Sequence, residues 1–98
     1  MKREQITALL NKNRDSLKDF HVKTLYLFGS VVRGEEKELS DVDLLVEFDL
    51  GAHIGLFEFA RLQRMLSAML GCKVDLVTPD GLHKSLRGRI MKEAVHAI

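Results

Sequence analysis

One run of residues decides how this chain folds: Ser40-Asp41-Val42-Asp43-Leu44-Leu45-Val46, continued by Glu47 and Phe48. Successive side chains of a β-strand point to opposite faces of the sheet. A strand over 40–48 therefore has an acidic face, formed by Asp41, Asp43 and Glu47. Its other face is apolar and is the expected core face, formed by Val42, Leu44, Val46 and Phe48.

The two aspartates on the acidic face repel each other. At a separation of ~6 Å and an effective dielectric constant of about 20, the repulsion is ~3 kcal/mol. A divalent cation between Asp41 and Asp43 removes this conflict, and hard oxygen ligands suit Mg²⁺. Aspartate is also depleted in strands. The alternative is an exposed Asp-x-Asp in a turn, a pattern that carries no chemistry.

Upstream of this pair, an apolar run ends at Gly29-Ser30, and residues 31–40 separate the two motifs. Backbone N–H groups at such a turn, at the start of a helix, face an anion. The alternative is an ordinary strand-to-helix turn capped by Ser30. A phosphate-holding turn close to a metal-holding strand indicates nucleotide chemistry. Arg33 either contacts a triphosphate or a leaving group, or forms a salt bridge to an acid within 35–38.

A third acid, Asp75, interrupts the apolar run of a later predicted strand, Lys73–Thr78. It is either an exposed residue of an edge strand or the third carboxylate of a site that contains Asp41 and Asp43. The scattered histidines show no zinc spacing, and Cys72 has no Cys-x-x-Cys partner.

Periodicity and turn signals predict the element order α-β-α-β-α-β-α, which is an α/β or α+β domain with a small mixed sheet of about three strands flanked by helices. The expected elements are a helix over 3–18, a strand Lys23–Phe28, a short helix from Ser30 to Arg33 stopped by Gly34, the strand over 40–48, a helix over 54–70, the strand Lys73–Thr78 and a last helix opened by Pro79. The apolar residues of the last helix are spaced for one face: Leu82, Leu86, Ile90, Ala94 and Val95.

Length and composition limit the functional classes. The 98 residues are expected to form one domain, 1–98, and the net charge of +1 predicts neither nucleic-acid nor membrane binding. Acids concentrate in 35–49, with seven of the 14, while 83–92 contains four basic residues and no acid. The single cysteine excludes an internal disulfide and fits the cytoplasm, and no apolar run has the length of a membrane span.

Two stretches together are far more specific than either alone: Leu27-Phe28-Gly29-Ser30-Val31-Val32-Arg33-Gly34-Glu35 and Ser40-Asp41-Val42-Asp43-Leu44-Leu45-Val46-Glu47-Phe48. Their Gly-Ser, ten-residue gap (31–40) and Asp-x-Asp resemble the signature of the nucleotidyltransferase superfamily of DNA polymerase β. The short length and the stretch Gly71-Cys72-Lys73-Val74-Asp75-Leu76-Val77 resemble its minimal branch, the MntA-like antitoxins. The resemblance covers about residues 5–96, and Val32 stands where the closest form of the motif has alanine.

The resemblance implies a role for each matching residue. Asp41 and Asp43 would hold two Mg²⁺ ions, and Asp75 would bind the catalytic one and help to deprotonate the attacking hydroxyl. Gly29 and Ser30 would hold the β- and γ-phosphates of ATP, and Arg33 would be a further phosphate contact. The implied chemistry is in-line attack by a hydroxyl on the α-phosphorus, with pyrophosphate leaving.

The family also implies a partner, a HEPN-type RNase toxin that is silenced by transfer of AMP to one of its tyrosines. About 20 residues follow the third predicted strand, so a partner is expected to complete the site, in a hetero-oligomer or a homodimer. No stable binding of a nucleic-acid duplex is expected. The alternatives are a non-catalytic antitoxin that neutralises its toxin by binding, and the catalytic subunit of a small-molecule nucleotidyltransferase.

Overall fold

The structure of the protein is a computed structural model that describes residues 2–34 and 41–98. Its elements are α1 (Arg3–Lys12), α2 (Arg14–Asp19), β1 (Val22–Phe28), β2 (Val42–Phe48), α3 (Leu56–Leu70), β3 (Val74–Val77), a 3₁₀ turn (Pro79–Gly81), α4 (Lys84–Glu93) and β4 (Val95–His96). The expected loop at 35–39 and Ser40 lie outside the described residues.

The strands form a four-stranded mixed sheet in the order β3-β2-β1-β4. β1 pairs antiparallel with β2 and with β4, and β2 pairs parallel with β3 through the crossover helix α3. The mixed α/β class predicted from the sequence is confirmed. The short strand β4 was not expected: Ala94 leaves the helical conformation at φ −60° and ψ 135°, and Val95 and His96 then pair with Leu27 and Tyr26.

The core lies on the apolar face of the sheet, as the alternation in β2 predicts. Val42, Leu44 and Val46 are buried there beneath α1 and α3, whose buried residues include Ile6, Leu10, Leu62, Leu66 and Leu70. The opposite face carries Asp43 and Glu47, but it is not uniformly polar. Leu45 is fully buried on that face, between Tyr26 of β1 and Val77 of β3 in the strand register.

The expected helix over 3–18 is two helices, because Asn13 interrupts it. Its backbone has φ −107° and ψ 24°, and its side-chain amide donates a hydrogen bond of 2.8 Å to the carbonyl of Leu9. A short amide side chain that bonds to nearby backbone in this way competes with continued helix. Both short helices contribute to the core, α1 through Ile6 and Leu10 and α2 through Leu17.

Two further expectations about helices were wrong. The short helix from Ser30 to Arg33 is a single turn, in which the N–H of Arg33 donates to the carbonyl of Gly29 at 3.1 Å. The last helix starts at Lys84 rather than Pro79, because Pro79–Gly81 closes a 3₁₀ turn capped by the Thr78 side chain. The apolar residues spaced along one face of that helix are not covered: within the described chain, no residue of α4 is buried, and Leu86 is 49% exposed.

The two stretches 2–34 and 41–98 contain no helix that is both long enough and apolar enough to cross a bilayer.

Candidate active site

Strand register brings two of the predicted acids together. Asp43 of β2 lies opposite Asp75 of β3 in the parallel pair, and register partners in neighbouring strands point to the same face of a sheet. The register begins just upstream, where the N–H of Val42 donates to the carbonyl of Lys73 at 3.0 Å. The site therefore contains two carboxylates side by side on the face opposite the core.

The third predicted acid, Asp41, lies just before β2 rather than within it. One oxygen of its carboxylate is 3.8 Å from the ammonium group of Lys73. In the two described stretches, no group of three or more acidic, histidine or cysteine side chains is placed to hold a metal ion. The three-carboxylate site inferred from the sequence thus has two members adjacent in register and a third at its border.

Gly29 places the predicted phosphate turn directly against Asp43. It follows β1 with φ +78°, a left-handed conformation that favours glycine. A Cβ atom at this position would overlap the carboxylate of Asp43. The turn continues through Ser30, which is partly exposed. The predicted Gly-Ser turn and the predicted Asp-x-Asp strand are therefore in van der Waals contact, which spacing alone did not show.

Glu93, the last residue of α4, was missed by the sequence analysis. Its Oε2 atom accepts a hydrogen bond of 3.3 Å from the N–H of Gly29. Its Oε1 atom accepts one of 2.7 Å from Nη1 of Arg33. Arg33 therefore forms an ion pair with an acid of the last helix. The predicted salt bridge to an acid within 35–38 lies outside the described residues. No local pattern indicates this contact, because 60 positions separate Arg33 from Glu93.

The electrostatics of the site centre on Asp43, whose pKa is raised to about 6. Burial is the largest cause, followed by the negative charges of Asp75 and Asp41. Arg33 acts in the opposite direction, and Glu93 adds a further negative charge. A carboxylate in this environment is stabilised by a cation.

The donor set fits a hard divalent cation. Asp43 and Asp75 present carboxylate oxygens on one face, and oxygen ligands are those that Mg²⁺ prefers. Burial and the neighbouring charges of Asp75 and Asp41 disfavour the charged form of Asp43, and a bound cation would favour it. Lys73 and Arg33 stand at the edges of this acidic region and reach Asp41 and Glu93 respectively.

Residues 10–96 match the family model of the nucleotidyltransferase domain. The chain belongs to the nucleotidyltransferase family. Among curated relatives, the protein adenylyltransferase MntA of Thermococcus cleftensis is 38% identical over 94 residues, which is 95% of this chain and 93% of that protein. A relative from Methanocaldococcus jannaschii, assigned as a protein adenylyltransferase, is 42% identical over 81% of this chain and 80% of its own length.

Solved structures share the fold. A chain assigned as a minimal nucleotidyltransferase superposes with a TM-score of 0.79 and 37% identity, and covers 97% of this chain and 95% of that one. A chain from the complex of the tri-AMPylated Shewanella oneidensis HEPN toxin with the MNT antitoxin superposes with a TM-score of 0.67 and 21% identity, over 95% of this chain and 71% of that chain. The nucleotidyltransferase resemblance drawn from Gly29-Ser30 and the Asp-x-Asp strand is confirmed, and this nucleotidyltransferase is of the MntA-like kind.

An open cleft of ≈ 760 Å³ lies at the other end of β2 from Asp43. It is lined mainly by the loop after β2 and the start of α3, including Phe48, Leu50, Leu56 and Phe59. The acidic pair and the Gly29 turn do not line it.

We predict that Gly29→Ala costs more stability than a left-handed backbone alone explains. The same change at Gly71 is the matched control, because Gly71 has φ +70° but an added Cβ atom would meet no described atom within 4 Å. Gly71→Ala should lower the free energy of unfolding by about 1 kcal/mol. Gly29→Ala should lower it by about 2–4 kcal/mol, because the Asp43 carboxylate must also move. Urea unfolding measures both, and equal losses would contradict the contact.

We predict that Asp43→Asn stabilises the metal-free protein in a pH-dependent way. The folded-state pKa of Asp43 is about 6, above its ordinary value of 3.8. Above pH 6 the charged carboxylate therefore lowers the stability of the folded state. This penalty disappears below about pH 4, where Asp43 is protonated in the folded and in the unfolded state. In EDTA at pH 7.5, the variant should gain about 1–2 kcal/mol in free energy of unfolding.

The gain should shrink steadily between pH 6 and pH 4. Asp19→Asn, at an exposed position on α2, is the control and should change stability by less than about 0.5 kcal/mol. A gain for Asp43→Asn that is independent of pH would show that the charge of Asp43 is not its cause.

Proposed function

We propose that this chain is a Mg²⁺-dependent protein adenylyltransferase that transfers AMP from ATP to a tyrosine of a HEPN-type RNase toxin and so acts as its antitoxin. One observation carries the proposal: Asp43, which is in register with Asp75, lies directly against the backbone of Gly29. This arrangement brings a cation-binding face and a phosphate-binding turn into contact, as transfer of a nucleotidyl group requires.

Asp41, Asp43 and Asp75 would hold two Mg²⁺ ions, which would lower the cost of the charge that develops on the nucleophile and on the leaving pyrophosphate. The N–H groups of the Gly29-Ser30 turn would bind the β- and γ-phosphates, and Arg33 would add a cationic contact. Asp75 would accept the proton of the tyrosine hydroxyl. The phenolic oxygen then attacks the α-phosphorus, the bond from the α-phosphorus to the bridging oxygen breaks, and pyrophosphate leaves.

The proposed substrate and partner rest on the relatives and on the exposed surface of α4. The relative from Thermococcus cleftensis is named a protein adenylyltransferase over nearly the same length. A fold neighbour comes from a complex with an AMPylated HEPN toxin. Next to Glu93, α4 exposes Leu86 and Met91 by 49% and 45%, together with a basic run between 84 and 92. A helical partner that covers the exposed surface of α4 would lie near Glu93, whose carboxylate contacts the Gly29 turn.

The proposal includes a cytoplasmic location and a hetero-oligomer with the toxin, or a homodimer of this chain. A second candidate is an antitoxin of the same fold that neutralises by contact alone. The exposed apolar residues of α4 fit either function. The pairing of Asp43 with Asp75 favours the enzyme, because a binding surface has no need of two adjacent carboxylates on the opposite face of the sheet from the core.

We predict that the toxin gains AMP when it is incubated with this protein, ATP and Mg²⁺. Intact-mass spectrometry of the toxin measures the added groups, and tyrosine-to-phenylalanine variants of the toxin identify the acceptor. Asp43→Asn should reduce transfer at least 10³-fold, because the cation site loses a ligand, whereas Asp19→Asn should not. Neutralisation without a mass change, and equally by Asp43→Asn, would establish the binding-only antitoxin.

We predict that Ser30→Ala weakens use of ATP more than it weakens binding of the toxin. Ser30 follows Gly29 in the turn, and loss of a hydrogen bond to a charged phosphate should lower kcat/KM for ATP about tenfold. Ser16→Ala, at an exposed position of α2, is the matched control. Unchanged ATP kinetics in Ser30→Ala would remove Ser30 from the phosphate site.

A further inference from the structure

The carboxylate of Glu93 occupies the position that the proposed function assigns to a phosphate. It accepts hydrogen bonds from the N–H of Gly29 at 3.3 Å and from Nη1 of Arg33 at 2.7 Å. These are two of the groups expected to bind the triphosphate. We propose that Glu93 is a built-in competitor for the nucleotide phosphates, which bind to the turn only when its carboxylate leaves. This inference rests on the proposed function, because it concerns the same phosphate-binding turn.

The two anions cannot share the backbone donor of Gly29. A backbone N–H has one hydrogen, and the Gly29 N–H directs it to Oε2 of Glu93. A phosphate oxygen at that hydrogen would also lie within a few ångströms of the Glu93 carboxylate, where two negative charges repel. The position of Gly29 is held by its contact with Asp43, so the turn has little freedom to offer its N–H in another direction.

Glu93 stays charged at neutral pH, so it competes as an anion. Burial alone would raise the pKa of its carboxyl group, but the hydrogen bonds from Arg33 and Gly29, and the charges of Arg33 and Arg89, together lower it. A change of pH within the neutral range therefore does not remove the competitor. Displacement requires another anion.

The structure also provides a way for Glu93 to leave. It is the last residue of α4, a position where the helix dipole disfavours a negative charge. The next residue, Ala94, already has an extended backbone, and within the described chain no residue of α4 is buried. Arg89 lies one turn earlier and acts on the Glu93 carboxylate. It can therefore pair with the displaced side chain, since residues four apart are neighbours on a helix.

A purely structural role for the ion pair between Arg33 and Glu93 explains fewer of these observations. The side chains of Arg33 and Glu93 are 41% and 19% exposed, and pairs near the surface add little to stability. Both side chains instead act on Asp43: the charge of Glu93 raises the pKa of Asp43, and the charge of Arg33 lowers it. A phosphate that replaces the carboxylate keeps the charge pairing of Arg33, so the exchange leaves no cation without a partner.

The test is the affinity of the full chain for inorganic tripolyphosphate in the presence of Mg²⁺, measured by isothermal titration calorimetry. Tripolyphosphate probes the phosphate donors without a base or sugar. Glu93→Gln keeps the length and one acceptor oxygen but removes the charge, and should bind at least tenfold more tightly than the natural chain. Glu4→Gln, at an exposed position of α1, is the matched control and should bind like the natural chain.

The outcomes separate this inference from the proposed function. One outcome is that the natural chain binds tripolyphosphate and Glu93→Gln binds it equally or more weakly. Glu93 then positions the turn, and the proposal that its carboxylate competes with phosphate is refuted. The proposed function stands in that case. If neither tripolyphosphate nor a non-hydrolysable ATP analogue binds to any of the three proteins, the proposed function fails and the competitor fails with it.

A second measurement uses the natural chain, in case Glu93→Gln unfolds. The side-chain carboxyl carbon of Glu93 and the amide of Gly29 are followed by NMR as tripolyphosphate is added. Both signals should move to new positions at saturation, because the hydrogen bond between them is exchanged for one to phosphate. The carboxyl carbon of Glu4 should not move. A Glu93 signal that is unchanged at saturation would overturn the proposal.

Discussion

The register between β2 and β3 is the constraint on which the rest of this site depends. It sets Asp43 beside Asp75 on one face of the sheet. Burial, followed by the negative charges of Asp75 and Asp41, raises the pKa of Asp43 to about 6. A domain of this size could have used that position for an apolar pair, which would have avoided the repulsion. The fold instead keeps two carboxylates together where a cation can join them, and the core on the other face supplies the stability.

Charge balance links the rest of the site to that pair. The acids Asp41 and Glu93 lie at opposite borders of the acidic region, and each has a basic partner, Lys73 and Arg33 respectively. The Gly29 turn stands between the acidic pair and Glu93, because its backbone touches Asp43 and its N–H donates to Glu93. In the proposed function, a nucleotide with its cations would bring positive charge to the acidic pair. Its phosphates would bring negative charge to the turn, where the Glu93 carboxylate lies in the structure.

The last part of the chain has two separate roles in this arrangement. β4 adds an edge strand to β1, and the N–H of Ala97 donates to the carbonyl of Leu25 at 2.8 Å. α4, in contrast, contributes no buried residue in the described chain, and its terminal Glu93 contacts the Gly29 turn. Strand pairing therefore anchors the chain after residue 94, while the helix before it exposes Leu86, Met91 and a basic run to solvent.

The sequence by itself determined the mixed α/β class, the apolar and acidic faces of β2, and the nucleotidyltransferase family. These follow from local patterns: alternation with a period of two, glycine at a left-handed turn, and the spacing between Gly29-Ser30 and Asp41-Val42-Asp43. The bend at Asn13 and the turn at 79–81 were not predicted. The exposure of α4 was not predicted either, because hydrophobic periodicity shows that a helix has an apolar face and not whether anything covers that face.

Only the tertiary structure decided which acids meet. From the sequence, Asp75 was either an exposed edge residue or a member of the site, and the β2–β3 register placed it beside Asp43. The contact of Gly29 with Asp43 and the bonds of Glu93 to Gly29 and Arg33 depend on the approach of segments far apart in the chain. Such contacts are set by how strands pair and how a helix returns to the sheet, and no local pattern of residues encodes them.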